Sequence, residues 1–124
     1  MVDNLKIHKI DHADIEIEKD GKFRFICENA LYNEALDTWG FSAQEGMLIE
    51  EIGEVLVAYN KRNRRTNGCT FTQYTEELVD LQIMLNQMEI ALGDQFREIK
   101  EKKLKELYKK LEATEGKKSV NGGL

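Results

Sequence analysis

The residues best suited to chemistry in this chain are acidic, and they fall in two short sets. The first is Glu50-Glu51-Ile52-Gly53-Glu54; the second is Glu76-Glu77-Leu78-Val79-Asp80. Both lie inside apolar runs of helical character. Residues three apart on a helix share a face, so Glu51 and Glu54 point one way, and Glu77 and Asp80 likewise share a direction. Two such helices packed face to face would gather four carboxylates. Crowded carboxylates repel each other, and burying them is costly. A hard, oxygen-seeking divalent cation removes that cost.

Charge placement sharpens this reading. Between Phe25 and Asn60 there is no Lys or Arg, yet Glu28, Glu34, Asp37, Glu45, Glu50, Glu51 and Glu54 occur there. Between Thr66 and Phe96 the same holds, with Glu76, Glu77, Asp80, Glu89 and Asp94. A solvated amphipathic helix interleaves Glu with Lys at i, i+4; these acids have no such local partners. Three readings then compete. One is a solvated acidic face. A second is a di-iron carboxylate bundle, which needs Glu-x-x-His on two helices. His8 and His12 are the only histidines and lie far from the acids, which disfavours it. The third is a Mg²⁺ site shared with substrate phosphates, for which the cluster Lys61, Arg62, Arg64 and Arg65 would balance phosphate charge. The same cations also suit a helix C-terminus.

The elements that must position these groups are helical. Residues 28–39 carry Ala30, Leu31, Leu36 and Trp39 on one side, with Gly40 as the stop. Ser42 and Glu45 form a Ser-x-x-Glu capping pattern, which predicts a helix from Ala43 to about Arg62. Gly46 and Gly53 fall inside it, and Gly53 would permit a close approach beside the acids. Asn67-Gly68 marks a turn. Thr72 or Thr75 is expected to cap the next helix, which runs to about Leu92 and is apolar around most of its circumference. Such a helix belongs at the centre of a bundle, and Glu77 and Asp80 share an angle with Met84 and Met88. Residues 95–112 read as a fourth helix with a solvated Lys/Glu face. The glycine-rich end, 114–124, is expected to be disordered. Near the start, Ile15-Glu16-Ile17-Glu18 and Phe23-Arg24-Phe25-Ile26 alternate about Asp20-Gly21, a hairpin signal that competes with an extended arm or an early helix. The fold expected is therefore all-α, about four helices with a short N-terminal hairpin, in a single domain over residues 1–113 with its core at about 28–92.

Composition excludes other classes. The 124 residues contain no Pro and carry a net charge of −5, which gives no global reason for nucleic-acid binding. No apolar run approaches the ~20 residues needed to span a bilayer. Met1 to Lys6 lacks the apolar core of a signal peptide. Cys27 and Cys69 lack metal or redox spacing and read as reduced thiols. The expectation is a cytoplasmic protein.

Glu50-Glu51-Ile52-Gly53-Glu54 matches Glu-Glu-x-x-Glu, and Glu77-Leu78-Val79-Asp80 matches Glu-x-x-Asp after 22 intervening residues. With Trp39-Gly40-Phe41-Ser42-Ala43-Gln44 upstream and Leu81-Gln82-Ile83-Met84-Leu85 downstream, residues 30–92 resemble the compact phage- and prokaryote-type MazG-like all-α NTP pyrophosphohydrolases. The resemblance implies Mg²⁺-dependent hydrolysis, with Mn²⁺ as a substitute, of an NTP or dNTP to the monophosphate and pyrophosphate, as in nucleotide-pool housecleaning. It implies that Glu51, Glu54, Glu77 and Asp80 hold the metal. Glu50 would serve a second metal or orient water, and Lys61, Arg62, Arg64 and Arg65 would meet the phosphates. Trp39 or Phe41 would stack on the base, with Gln44 reading its edge; for each aromatic, core packing is the competing role. It also implies a catalytic four-helix bundle completed by oligomerisation as a homodimer or homotetramer. The alternative is a non-catalytic helical interaction or regulatory module that retains the fold.

Overall fold

The computed structural model describes residues 14–63 and 70–121. Expectations placed on His8, His12, Arg64, Arg65, Cys69 and the last three residues lie outside them. The protein is all-α with one short hairpin, as its periodicities predict. In chain order the elements are β1 (Asp14–Lys19), β2 (Lys22–Cys27), α1 (Glu28–Trp39), α2 (Phe41–Asn63), α3 (Phe71–Leu92) and α4 (Asp94–Asn121). The chain divides into two compact units, Met1–Ala91 and Leu92–Leu124. No helix among the described residues is long and apolar enough to cross a membrane.

The hairpin forms where the Asp-Gly signal places it. Lys19 pairs with Lys22, so Asp20 and Gly21 make a two-residue loop, both at positive φ (54° and 77°). That is the type I′ geometry whose twist matches the strands. Ile15 faces Ile26, and Glu16 and Glu18 face Phe25 and Phe23. The two phenylalanines are 69% and 63% exposed.

A single residue joins α1 to α2. Gly40 adopts φ 89° and ψ 158°, a region nearly restricted to glycine. Its N–H donates to the Leu36 carbonyl (2.9 Å), and its own carbonyl accepts from the Gln44 N–H (3.1 Å). Gly40 thus closes one helix and opens the next. The start of α2 is therefore Phe41, and Ser42 lies inside the first turn instead of capping it. At α3 the cap is Thr70, not Thr72 or Thr75: the Gln73 N–H donates to Thr70 Oγ1 (3.1 Å), and the Thr70 N–H donates to Gln73 Oε1 (2.8 Å). This is a capping box. Thr75 instead donates back to the Phe71 carbonyl (2.7 Å), as hydroxyls inside helices do.

Helices α2 and α3 run antiparallel. Gln44 meets Gln87, Glu51 meets Asp80 and Arg62 meets Phe71. Buried positions in this unit are Tyr32, Gln44, Ala58, Met84, Gln87 and Met88. Met84 and Met88 lie inward, as their angle on α3 predicts. The hydroxyl of Tyr32 donates to Glu28 Oε2 (2.5 Å) and accepts from Asn86 Nδ2 (3.2 Å), tying α1 to α3. Much apolar surface remains uncovered. On α3, Phe71, Leu78 and Leu85 recur every seven residues and are 69%, 39% and 42% exposed. On α2, Ile49, Ile52, Leu56 and Tyr59 do the same at spacings of three and four, all exposed.

The second unit is α4. It continues to Asn121, so residues 114–121, expected in a disordered tail, are helical. Lys105–Glu101 (3.8 Å) and Lys103–Glu106 (3.7 Å) are i, i+4 and i, i+3 pairs, and Gly116 is one interruption costing about 1 kcal/mol.

Two glycine substitutions should act with opposite sign. Gly40→Ala forces a side chain into the φ 89° conformation and should destabilise by about 1–3 kcal/mol. Gly46→Ala meets open space inside α2 and should stabilise by about 1 kcal/mol. Denaturant unfolding midpoints of the two variants test both.

Candidate metal centre

The antiparallel register of α2 and α3 brings the two acidic sets to one level. Glu51 from α2 and Glu77 and Asp80 from α3 each offer a carboxylate oxygen, and these three oxygens lie within 4.8 Å of one another. Glu51 and Glu77 are half-buried and Asp80 is exposed. The i, i+3 spacing sets Glu77 and Asp80 on one face of α3; the helix pairing carries Glu51 to meet them. The electrostatics are one-sided. Burial pushes the Glu51 carboxyl above its ordinary value of 4.5, and the charges of Asp80, Glu77, Glu54 and Glu50, in that order, push it further the same way.

Glu54 lies one turn along α2 and lines the adjoining cleft. That cleft, of about 240 Å³, is walled by Glu54, Val57, Ala58 and Lys61 from α2 and by Gln73, Glu76 and Glu77 from α3. Ala58 is buried, so a methyl group forms part of the wall where a longer side chain would fill the space. A second, more open cleft of about 410 Å³ runs along α3 past Phe71, Thr75, Val79 and Asp80.

The donor set suits a hard divalent cation. All three close groups are carboxylates, with no imidazole or thiolate near them among the described residues, a donor set that suits hard divalent cations better than softer metals. Their mutual repulsion is the unbalanced charge such an ion would neutralise.

The remaining candidates are distributed unevenly. Glu50 is exposed and acts on Glu51 only through its charge. Trp39 and Phe41 flank Gly40 and are 64% and 40% exposed. Gln44, assigned above to a base edge, is buried and donates through Nε2 to Gln87 Oε1 (2.7 Å). Its amide N–H is thus engaged in the seam between helices. Arg62 is drawn to aromatic rings: its guanidinium carbon lies 4.7 Å from the Phe71 ring centroid, 4.9 Å from Tyr74 and 6.0 Å from Tyr59. Lys61 lines the acidic cleft. Sequence reasoning missed three features. Glu76, the member of the second acidic set with no role assigned above, is exposed and lines both clefts. Gln87 pairs with Gln44, and Gln73 completes the cap of α3. Only Gln73 had a local signal, the Thr-x-x-Gln spacing.

Among known proteins, the chain matches no family model, no curated protein and no solved structure.

The raised Glu51 carboxyl has a definite pH signature. The folded state holds this proton more tightly than the unfolded chain, so without metal its contribution to stability falls as pH rises above 4.5. Metal-free Glu51→Gln should therefore melt higher than the parent at pH 7, with the difference shrinking toward pH 4.5. Added Mg²⁺ or Mn²⁺ should raise the parent's melting temperature and leave that of the variant nearly unchanged. Scanning calorimetry across that pH range, with and without metal, checks both.

Proposed function

We propose that this protein is a Mg²⁺-dependent nucleoside triphosphate pyrophosphohydrolase of the MazG-like all-α type, releasing pyrophosphate from an NTP or dNTP. The observation that carries the reading is the meeting of Glu51, Glu77 and Asp80 across two helices, with their oxygens within 4.8 Å of one another. These are three of the four ligands implied by the Glu-Glu-x-x-Glu and Glu-x-x-Asp motifs. The fourth, Glu54, borders the adjoining cleft together with Glu77.

Glu51, Glu77 and Asp80 would hold Mg²⁺, with Glu54 completing the set, and Mn²⁺ could take its place. When bound, the ion supplies Lewis-acid polarisation of the phosphate and lowers the pKa of a coordinated water. The chain's own groups do the rest. Glu50, beside the first ligand, orients the attacking water from the exposed side. Trp39 and Phe41 offer exposed ring faces to a base, at the end of α2 away from Lys61. Gln44 would have to leave Gln87 before its N–H could read a base edge. Arg64 and Arg65, next in sequence after the basic end of α2, are further candidates for phosphate.

The same reading includes an oligomer, a homodimer or homotetramer. Its support is the uncovered surface on α2 and α3. Phe71, Tyr74, Leu78, Leu81, Leu85 and Met88 follow one another at alternating spacings of three and four, the pattern of a helix seam. Phe71, Leu78 and Leu85 are exposed. A second α2–α3 pair docked there would make four helices around the acids. The runner-up, a non-catalytic interaction module, would use the same apolar surface without the metal.

Incubation with each common and modified (d)NTP and Mg²⁺ should give pyrophosphate and monophosphate from at least one. Glu51→Gln and Asp80→Asn should each lower the rate at least about 100-fold. No release from any nucleotide would overturn the proposal. Light scattering should give the mass of a dimer or tetramer, and Leu78→Glu should shift it toward the monomer.

A further inference from the structure

Two cations end α2 within the described residues, and they have different surroundings. Arg62 sits over the rings of Phe71 and Tyr74, and its Nε is buried without a hydrogen-bond partner. A guanidinium in that position is used in stacking, which its planar, weakly hydrated form suits. It fastens the C-terminal end of α2 to the N-terminal end of α3. Lys61, the adjacent residue, lies about 100° around the helix and lines the cleft with Glu54, Glu76, Glu77 and Gln73. It is the one cation lining that cleft among the described residues. It is exposed and makes no ion pair among the described residues.

Glu54, Ala58 and Lys61 stand at i, i+4 and i+7 on one side of α2. Lys61 therefore lies about 10 Å along the axis from Glu54, with buried Ala58 between them. A cleft that is acidic at one end, open in the middle and cationic at the other suits a metal-bound polyphosphate lying along it. The metal end neutralises the phosphates nearest the acids. The far end needs a mobile point charge, and a lysine ammonium on a four-carbon stem provides one.

We infer that Lys61, and not Arg62, binds the pyrophosphate part of the substrate, through the cleft between α2 and α3. This rests on the proposed pyrophosphohydrolase reading and assigns the direction of the substrate in it: the phosphates that leave point toward the α2 C-terminus, and the nucleoside lies toward or beyond the carboxylate group.

The test uses the full chain and two probes, Mn²⁺ alone and inorganic pyrophosphate with saturating Mg²⁺, each followed by calorimetric titration. Lys61→Met should weaken pyrophosphate binding about tenfold or more, equivalent to about 1.4 kcal/mol. The same variant should bind Mn²⁺ alone as tightly as the parent or more tightly, because a cation near the site has been removed. Lys61→Arg should keep pyrophosphate affinity within about threefold, as a retained charge-assisted contact would. Unchanged pyrophosphate binding in Lys61→Met, with Mn²⁺ binding intact, overturns the inference and leaves the metal site standing. Equal loss of both probes in Lys61→Met and Lys61→Arg marks a structural role and also overturns it. A parent protein that binds neither probe overturns the proposed function itself.

Discussion

The carboxylates facing each other across α2 and α3 are the constraint around which this helix pair is arranged. Three carboxylate oxygens within 4.8 Å of one another crowd like charge where solvent screens it only in part. The helices nevertheless stay together because neutral and cationic contacts fasten them on either side. Toward the start of α2, the Gln44–Gln87 hydrogen bond sits in a buried seam beside Met84 and Met88. Toward its end, Arg62 lies on the rings of Phe71 and Tyr74. The repulsion is thereby held at the centre of a span clamped on both sides. Burial first, and this repulsion after it, raises the Glu51 carboxyl above its ordinary value. A cation entering there would relieve strain already present, so its binding need not wait for the ligands to assemble.

The two clamps differ in kind, and that affects how the site can be read. Gln44 and Gln87 satisfy each other with one donor–acceptor pair, and the Gln87 amide also reaches Met84 Sδ at 3.8 Å. Removing either glutamine would strand a buried amide, which costs about 1–3 kcal/mol. Arg62 contributes through stacking and leaves its Nε unsatisfied. Losing it would open the end of the helix pair nearest Lys61. A loss of activity on substituting Gln44 or Arg62 would therefore report on the separation of α2 and α3 as much as on any ligand contact. Lys61, exposed and outside both clamps, is free of that ambiguity.

What could be read from the sequence follows from how local the determining physics is. The hairpin was legible because Asp20-Gly21 sets the turn by its own backbone preference. The acidic pair on α3 was legible because a spacing of three is a property of one helix. The meeting of Glu51 with Asp80, and the offset that leaves Glu54 outside the closest group, depend on the register between two helices, which no local pattern encodes. Gly40 shows a different failure: Ser42 and Glu45 have the right types for a cap, but one glycine with its N–H on Leu36 and its carbonyl on Gln44 already makes the junction. At α3 three threonines, Thr70, Thr72 and Thr75, have the right type for a cap, and only the Thr-x-x-Gln spacing distinguishes Thr70. The extent of α4 is a third such case: Gly116 and the glycines after it signal a chain end, yet the helix-forming Lys and Glu before them carry the helix on to Asn121. Gln44 and Arg62 have side chains equally suited to ligands and to packing, and only their neighbours decide.

The uncovered apolar surface bears on the chemistry as well as on assembly. Phe71, Leu78 and Leu85 belong to a regular seam whose other members, Tyr74, Leu81 and Met88, are half-buried or buried. The seam is thus occupied along one edge and bare along the other. Covering three large side chains of this kind contributes about 1.5–3 kcal/mol each when burial is complete. In the proposed oligomer, the helices supplying that cover would also wall the open side of the cleft past Val79 and Asp80. Water would be displaced from beside the carboxylates, the local dielectric would fall and every charge interaction there would strengthen. Metal-free, that change would oppose association through the repulsion among Glu51, Glu77 and Asp80; with a divalent cation between them it would favour it. Metal binding and assembly are then linked equilibria, and by linkage each must strengthen the other to the same extent.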